Sequence, residues 1–298
     1  MKLPENSNSE EDRPRGFGWR GKVLLGVLIA LLLTSLGFGQ PTGRRWGGWG
    51  GGRERRQKDR SEFPMWEHKE GFRHDTFQFT RVKYASNIGY GLNTRWDNDY
   101  PDSDLNFSFR LQELTSIEVE PNPDAIQLTD EALFDSPFVY MVAPGLIVLS
   151  DQEVNSLRRY LNNGGFLMMD DFWGSYHKAN ILKEMKRVLP DVEPRELPLE
   201  HAFLQLVMPL SEKPQVPDIL AWRQGYDYEA RHPGMEDHAP HFLGYFNEKG
   251  QLMAMLCHNN DLGDGWEREG HEVEYFHRFS EKFSYPFGIN AITYAMSH

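Results

Sequence analysis

Cysteine is all but missing: Cys257 is the single thiol in 298 residues. That excludes an intramolecular disulfide framework and a structural zinc site built on several cysteines. Long hydrophobic runs are equally scarce, since only residues 23–38 form an extended uncharged apolar stretch, which excludes a polytopic membrane protein. No GxGxxG follows a predicted strand, and P-loop, GxSxG and HExxH patterns are absent, so dinucleotide, nucleotide, serine-hydrolase and zincin chemistry lack sequence support. No internal repeat is visible. Positive charge is depleted beyond residue 60, where 20 Lys+Arg face 38 Asp+Glu for a net of −18, against +6 for residues 1–60. A folded part this acidic repels phosphate backbones, and nucleic acid is not an expected partner.

What is present suffices for a large core: 39% hydrophobic and 13% aromatic residues. Residues 1–22 form a leader whose end, from Arg13 to Lys22, is basic. The apolar run of 16 residues is shorter than the roughly 20 of a comfortable membrane span and closer to a signal-peptide core. Gly37 and Gly39 set small residues where cleavage before Gln40 needs them. Residues 23–39 therefore read as a signal peptide or a membrane anchor, and the expected location is the cell envelope, exported or attached to the cytoplasmic membrane. Residues 40–70, rich in Gly and Arg, read as a flexible linker.

From residue 71 to 298 the pattern is that of a single α/β domain. Phe77–Tyr84 alternates and reads as a strand. Asp102 or Ser103 can cap a helix with Leu105, Phe109 and Leu111 near one face. Ile117–Val119 reads as a short strand closed by Pro121 and Pro123. Phe138–Ala143 is apolar throughout, as in a strand covered on both faces. Ser150 and Glu153 form a capping box ahead of Val154, Leu157 and Leu161, and Gly164 suits the helix end. Phe166–Met169 is a second buried strand, ending at Asp170 and Asp171, and strand–helix–strand with short connections implies parallel pairing. Ile181, Leu182, Met185, Val188 and Leu189 mark another helix. Phe242–Phe246 and Leu252–Cys257 predict a hairpin turning at Asn247–Gly250, and Pro286 predicts the start of a last helix.

Three runs in order, Tyr100–Leu111, Asn163–Gly174 and Cys257–Glu267, resemble a bacterial family known as domain of unknown function 4159. The resemblance covers roughly residues 72–298 of this sequence. It implies a three-layer, flavodoxin-like α/β fold of the class I glutaminase-like superfamily, with a mostly parallel sheet, often attached to membrane segments. It implies no established activity.

Ligands of open parallel sheets bind at the carboxyl ends of the strands. Asp170, Asp171 and Trp173 leave such an end: the acids can bind a cation or act as acid and base, and Trp173 can offer a stacking platform. The plainer alternative is a cap and a packed indole. His258, Asn259, Asn260, Asp261, Asp264, Trp266 and Glu267 follow another strand, with Asp261 and Asp264 the candidate ligands of a divalent cation. Their spacing does not match an EF-hand, and a polar turn with Asx hydrogen bonds is the competing reading. Arg95, Asp97, Asp99, Asp102 and Asp104 can line the same rim, Arg95 as an ion-pair partner. Glutaminases place a nucleophilic cysteine on a strand-to-helix elbow. Here that elbow carries Met168–Asp171, and Cys257 reads as a buried, inert thiol. His232, His238 and His241 read as part of a polar loop. The leading expectation is a non-catalytic module binding a ligand, an envelope protein or a glycan at an acidic, aromatic-rimmed site. The alternatives are a carboxylate-dependent, cation-assisted hydrolase and a structural component of an envelope complex.

Overall fold

Apolar residues at consecutive positions of Phe138–Val142 and Phe166–Met169 leave no face for solvent, and both runs become strands covered on both sides. The computed structural model describes residues 63–67, 76–86, 95–229 and 235–298. The leader, the apolar run 23–39 and all of the linker except residues 63–67 lie outside the described residues. Among the described residues, no helix is long and apolar enough to cross a membrane.

Seven strands form one sheet: β1 (Thr80–Lys83), β2 (Asp124–Gln127), β3 (Phe138–Val142), β4 (Phe166–Phe172), β5 (Arg195–Glu196), β6 (His241–Phe246) and β7 (Leu252–His258). Their order is β2-β1-β3-β4-β7-β6-β5. The pairs from β2 to β7 are parallel, and β6 and β5 add an antiparallel edge. Counted along the parallel strands alone, the order is 2-1-3-4-5, that of a flavodoxin-like doubly wound sheet.

Helices cover both faces. On one, Phe79, Tyr140, Met168 and Cys257 pack with α1 (Asp102–Leu114), α5 (Leu262–Glu267) and α6 (Tyr285–Ser297). On the other, Met141, Leu167 and Leu256 share a core with α2 (Asp151–Asn162) and α3 (Gly174–Val188). The short helix α4 (Ile219–Arg223) lies between strand segments.

The capping box forms as expected: the Glu153 amide donates to Ser150 Oγ, and Glu153 Oε2 accepts from the Ser150 amide at 2.7 Å. Gly164, at φ 97°, closes the helix in the left-handed region. Ser150→Ala should lower unfolding free energy by about 1 kcal/mol in urea titrations, the usual worth of such a cap.

Several local expectations are corrected. Neither Asp102 nor Ser103 caps α1; Pro101 occupies that position and no side chain caps it. Phe107 rather than Phe109 is its fully buried aromatic, as a helix face broadened by α5 and α6 requires. Of the 117–119 run only Val119 pairs, in an isolated bridge to Phe77 outside the strands; the strand proper is β2, which starts after Pro123 because proline lacks the amide a ladder needs. Pro286 does stand in the first turn of the last helix, as expected, and a π-helical stretch, Phe276–Ser284, runs directly into that helix.

Candidate functional site

Parallel strands deliver their carboxyl ends to one edge, so the segments after β1, β3, β4 and β7 meet there. Non-glycine residues in the left-handed region turn three of these chains: Ala143 (φ 49°), Asp171 (φ 56°) and Asn259 (φ 57°). A register shift between Met169 and Phe172 against β7 accompanies the turn at Asp171, and such bulges re-aim side chains. Asp99, at φ 59°, lies on the turn before α1.

Arg81 organises the floor. It projects from β1 on the Phe77 and Phe79 face and is wholly buried. Its Nε donates to Asp104 Oδ2 at 3.0 Å, and Nη2 donates to Asp104 Oδ1 and to Ser103 Oγ. Nη1 donates to the carbonyls of Trp96 and Asn98, fixing the turn that carries Asp99. The rings of Tyr100 and Tyr140 lie 5.6 and 5.3 Å from the guanidinium carbon.

Two groups of carboxylates gather above this floor. In one, oxygens of Asp171, Glu229 and Asp261 all lie within 4.8 Å of one another; in the other, those of Asp99, Asp264 and Glu267 do. The second group has a built-in counter-charge, because Arg268 pairs with Asp264 at 3.3 Å and with Glu267 at 2.6 Å. In the first, Asn98 Nδ2 donates to Asp171 Oδ2 at 3.1 Å, and Asp261 Oδ1 accepts from the Asp264 amide at 2.9 Å, capping α5. Among the described residues, no Lys or Arg ion-pairs with Asp171 or Asp261. The positive charge of half-buried Arg95 opposes the burial and the neighbouring acids that raise Asp171 and Glu229.

Asp170 is wholly buried beside these groups. Its Oδ2 accepts from the Tyr140 hydroxyl at 2.9 Å and the Gly263 amide at 3.1 Å, while Oδ1 has no hydrogen-bond partner among the described residues. Gly263 is where the parts meet: a Cβ there would lie 2.9 Å from Tyr140 Oη, 3.2 Å from Asp99 Oδ2 and 3.5 Å from Asp261 Oδ1.

Crowding of acids out of water has the expected electrostatic result. Burial and then Asp264 raise Asp99 to about 7. Burial raises Asp170 to about 7 against the Tyr140 and Gly263 hydrogen bonds. Burial raises Asp264 to about 7 against Arg268, and burial with Asp99 takes Glu267 to about 7. Asp171, Glu229 and Asp261 are pushed well above the ordinary range, by burial first and then by neighbouring acids.

The acids expected from the sequence thus do come together, but other expected site residues serve the scaffold. Trp173 and Trp266 are wholly buried and form no aromatic rim. Trp266 packs on Phe107 and Tyr140, with ring centroids 4.7 and 5.5 Å away. His258 stacks on Phe172, donates from Nε2 to the Gly174 carbonyl, and is lowered to about 4 by burial. Asn259 does not offer oxygen to a cation: Oδ1 accepts from the Gly174 amide, and Nδ2 donates to the carbonyls of Asp237 and Ala239. Asn260 likewise bonds Pro214 and Val216. The expected single wrap of residues 259–264 is therefore replaced by two carboxylate groups that divide Asp261 from Asp264. Cys257 is buried, its thiol pushed well up by burial, on the sheet face opposite His258. His238 stacks on Tyr228 and His241 lies between Asp237 and Glu196, and neither belongs to the two carboxylate groups; His232 lies outside the described residues.

Sequence reasoning missed Arg81, Tyr140, Glu229 and Arg268. Two carried a signal: Arg81 shares strand parity with Phe77 and Phe79, and Arg268 stands four residues after Asp264, the spacing of a helical ion pair. Glu229 carried none, since no periodic pattern surrounds it.

Fold and site together define a doubly wound α/β domain with a buried acidic centre at the carboxyl edge of its sheet. The chain belongs to the family described as Domain of unknown function (DUF4159), whose model matches residues 78–296. Comparison with curated proteins finds no match.

Proposed function

We propose that this domain is a cell-envelope binding module whose acidic centre takes a hard divalent cation at Asp171, Glu229 and Asp261. The observation that carries the reading is the convergence of these three carboxylates within 4.8 Å, from a strand end, a loop and a helix cap. Oxygen-only donors suit calcium, magnesium or manganese rather than zinc. The other acidic group is the weaker site, because Arg268 already occupies the place of a cation. The apolar run at residues 23–38 behind a basic flank supports the envelope address. Carboxyls held near 7 beside more strongly raised ones also suit acid–base work, which favours cation-assisted hydrolysis as a second reading.

Thermal unfolding of the full chain at about pH 7.5, first with chelator and then with calcium, magnesium or manganese, tests the first reading. A cation at about 100 times its Kd should contribute about 2.7 kcal/mol, a rise of several degrees. Asp171→Asn should abolish that rise while raising the melting temperature in chelator, since it removes repulsion. No response to any of the three ions in the wild-type chain would refute the site.

A further inference from the structure

A parallel connection carries a crossover helix back over the sheet, whereas a hairpin brings none. β6 and β5 extend the sheet past β7 in the antiparallel way, so Tyr245 of β6 must share the layer supplied by α2 and α3. Past α3 that layer continues as the irregular segment 192–194. Between Val192, Pro194, Tyr245 and one stripe of α3 lies a cavity of about 490 Å³. The stripe is Ala179, Leu182, Lys183 and Lys186, at i, i+3, i+4 and i+7. Tyr245 pairs with Ala254, two residues into β7, so the cavity stands apart from the acidic centre at the carboxyl edge.

Its walls are apolar, and its polar groups offer protons. Tyr245 is 1% exposed, yet its hydroxyl makes no hydrogen bond among the described residues. The Lys183 side chain is 73% exposed and meets Glu184 Oε1 at 3.8 Å, while Glu184 Oε2 accepts from Arg187 at 2.5 Å and from the Leu149 amide at 3.2 Å. Lys186 and Glu193 neutralise one another on the rim. The α3 helix carries Lys178, Lys183, Lys186 and Arg187 against the single acid Glu184, in a part of the chain that is otherwise strongly acidic. Phenol and ammonium together suit an acceptor of negative charge.

We propose that this cavity binds a small amphipathic anion, a carboxylate or phosphate monoester on a short apolar body. The body rests on Leu182, Val192 and Pro194, and the head takes protons from the Tyr245 hydroxyl and the Lys183 ammonium. The volume is that of a small-molecule site, and its larger apolar residues are half-buried or buried, which favours a free ligand over a membrane surface.

Calorimetric titration of the full chain with octanoate and octyl phosphate, below micelle-forming concentrations and in chelator to keep the cation centre silent, tests this. Octanol and octyltrimethylammonium are the controls. Saturable binding of at least one anion is expected, with octanol about tenfold weaker or worse and no heat from the cation. Lys183→Gln and Tyr245→Phe should each weaken the anion about tenfold, Lys183→Arg should retain most of the affinity, and Ala179→Trp, on an exposed helix position, should fill the cavity and abolish binding. Circular dichroism and melting temperature should show all four variants folded. No binding of either anion, equal binding of octanol, or affinity unchanged in folded Lys183→Gln and Ala179→Trp would overturn the proposal. Sedimentation with phosphatidylglycerol vesicles, lost in Lys183→Gln and unaccompanied by binding of the free anions, would overturn it in favour of a membrane contact.

Discussion

With chelator present, the full chain should lose thermal stability as pH rises from about 4 to about 8, by roughly 5–10 °C in melting temperature. The sign follows from the raised carboxyls. Asp99, Asp170, Asp264 and Glu267 titrate at about 7 in the folded state and in the ordinary carboxylate range when unfolded. Between those limits the folded chain holds the extra protons, so their stabilisation is complete at the acidic end and lost as pH climbs through 7. Asp171, Glu229 and Asp261, raised further, extend the loss above that point. A saturating divalent cation should flatten the profile, because it replaces protons as the source of positive charge. Most proteins with ion-paired acids behave in the opposite way and weaken on acidification. A melting temperature that rises from pH 4 to 8 in chelator would show that the centre does not carry these raised carboxyls.

Arg81→Leu should destabilise the domain by about 3–5 kcal/mol in urea unfolding, because it leaves Asp104 buried and uncompensated. Asp104→Leu should cost a similar amount by stranding the guanidinium. The double replacement should recover much of the loss, since two apolar side chains of similar bulk replace a buried ion pair at little net cost. A purely additive double mutant would mean that the pair does not act as a unit. The single change should also weaken cation binding, because Arg81 holds the carbonyls of Trp96 and Asn98, and Asn98 in turn donates to Asp171.

Much of the fold was legible where local chemistry decides structure. Ser150 and Glu153 announce a helix start through their reciprocal hydrogen bonds, and uninterrupted apolar runs announce β3 and β4 as buried strands. The meeting of Asp171 with Asp261 followed from the parallel pairing of β4 and β7 at one sheet edge. Alternation could not say which of two covered faces holds a charge, and so Arg81 passed as one polar residue of a strand. Composition likewise could not separate a ligand oxygen from one spent on backbone amides. Asn259 and Asn260 look like cation ligands in the sequence, but each saturates amides and carbonyls of neighbouring loops instead. Trp173 and Trp266 misled for a related reason, since an indole near a polar turn can face either solvent or core.

The three carboxylates of the proposed cation site come from chain segments far apart in sequence, on a strand end, a loop and a helix cap. None of these can be neighbours until β7 has joined β4 in the sheet. A pocket assembled from such distant pieces belongs to the end of the folding reaction, after the transition state has closed the long loops. Added cation should accordingly leave the refolding rate nearly unchanged and slow the unfolding rate, since the interactions it supplies are absent from the transition state. Such a cation would act less as a folding partner than as a latch, lengthening the lifetime of a domain already made.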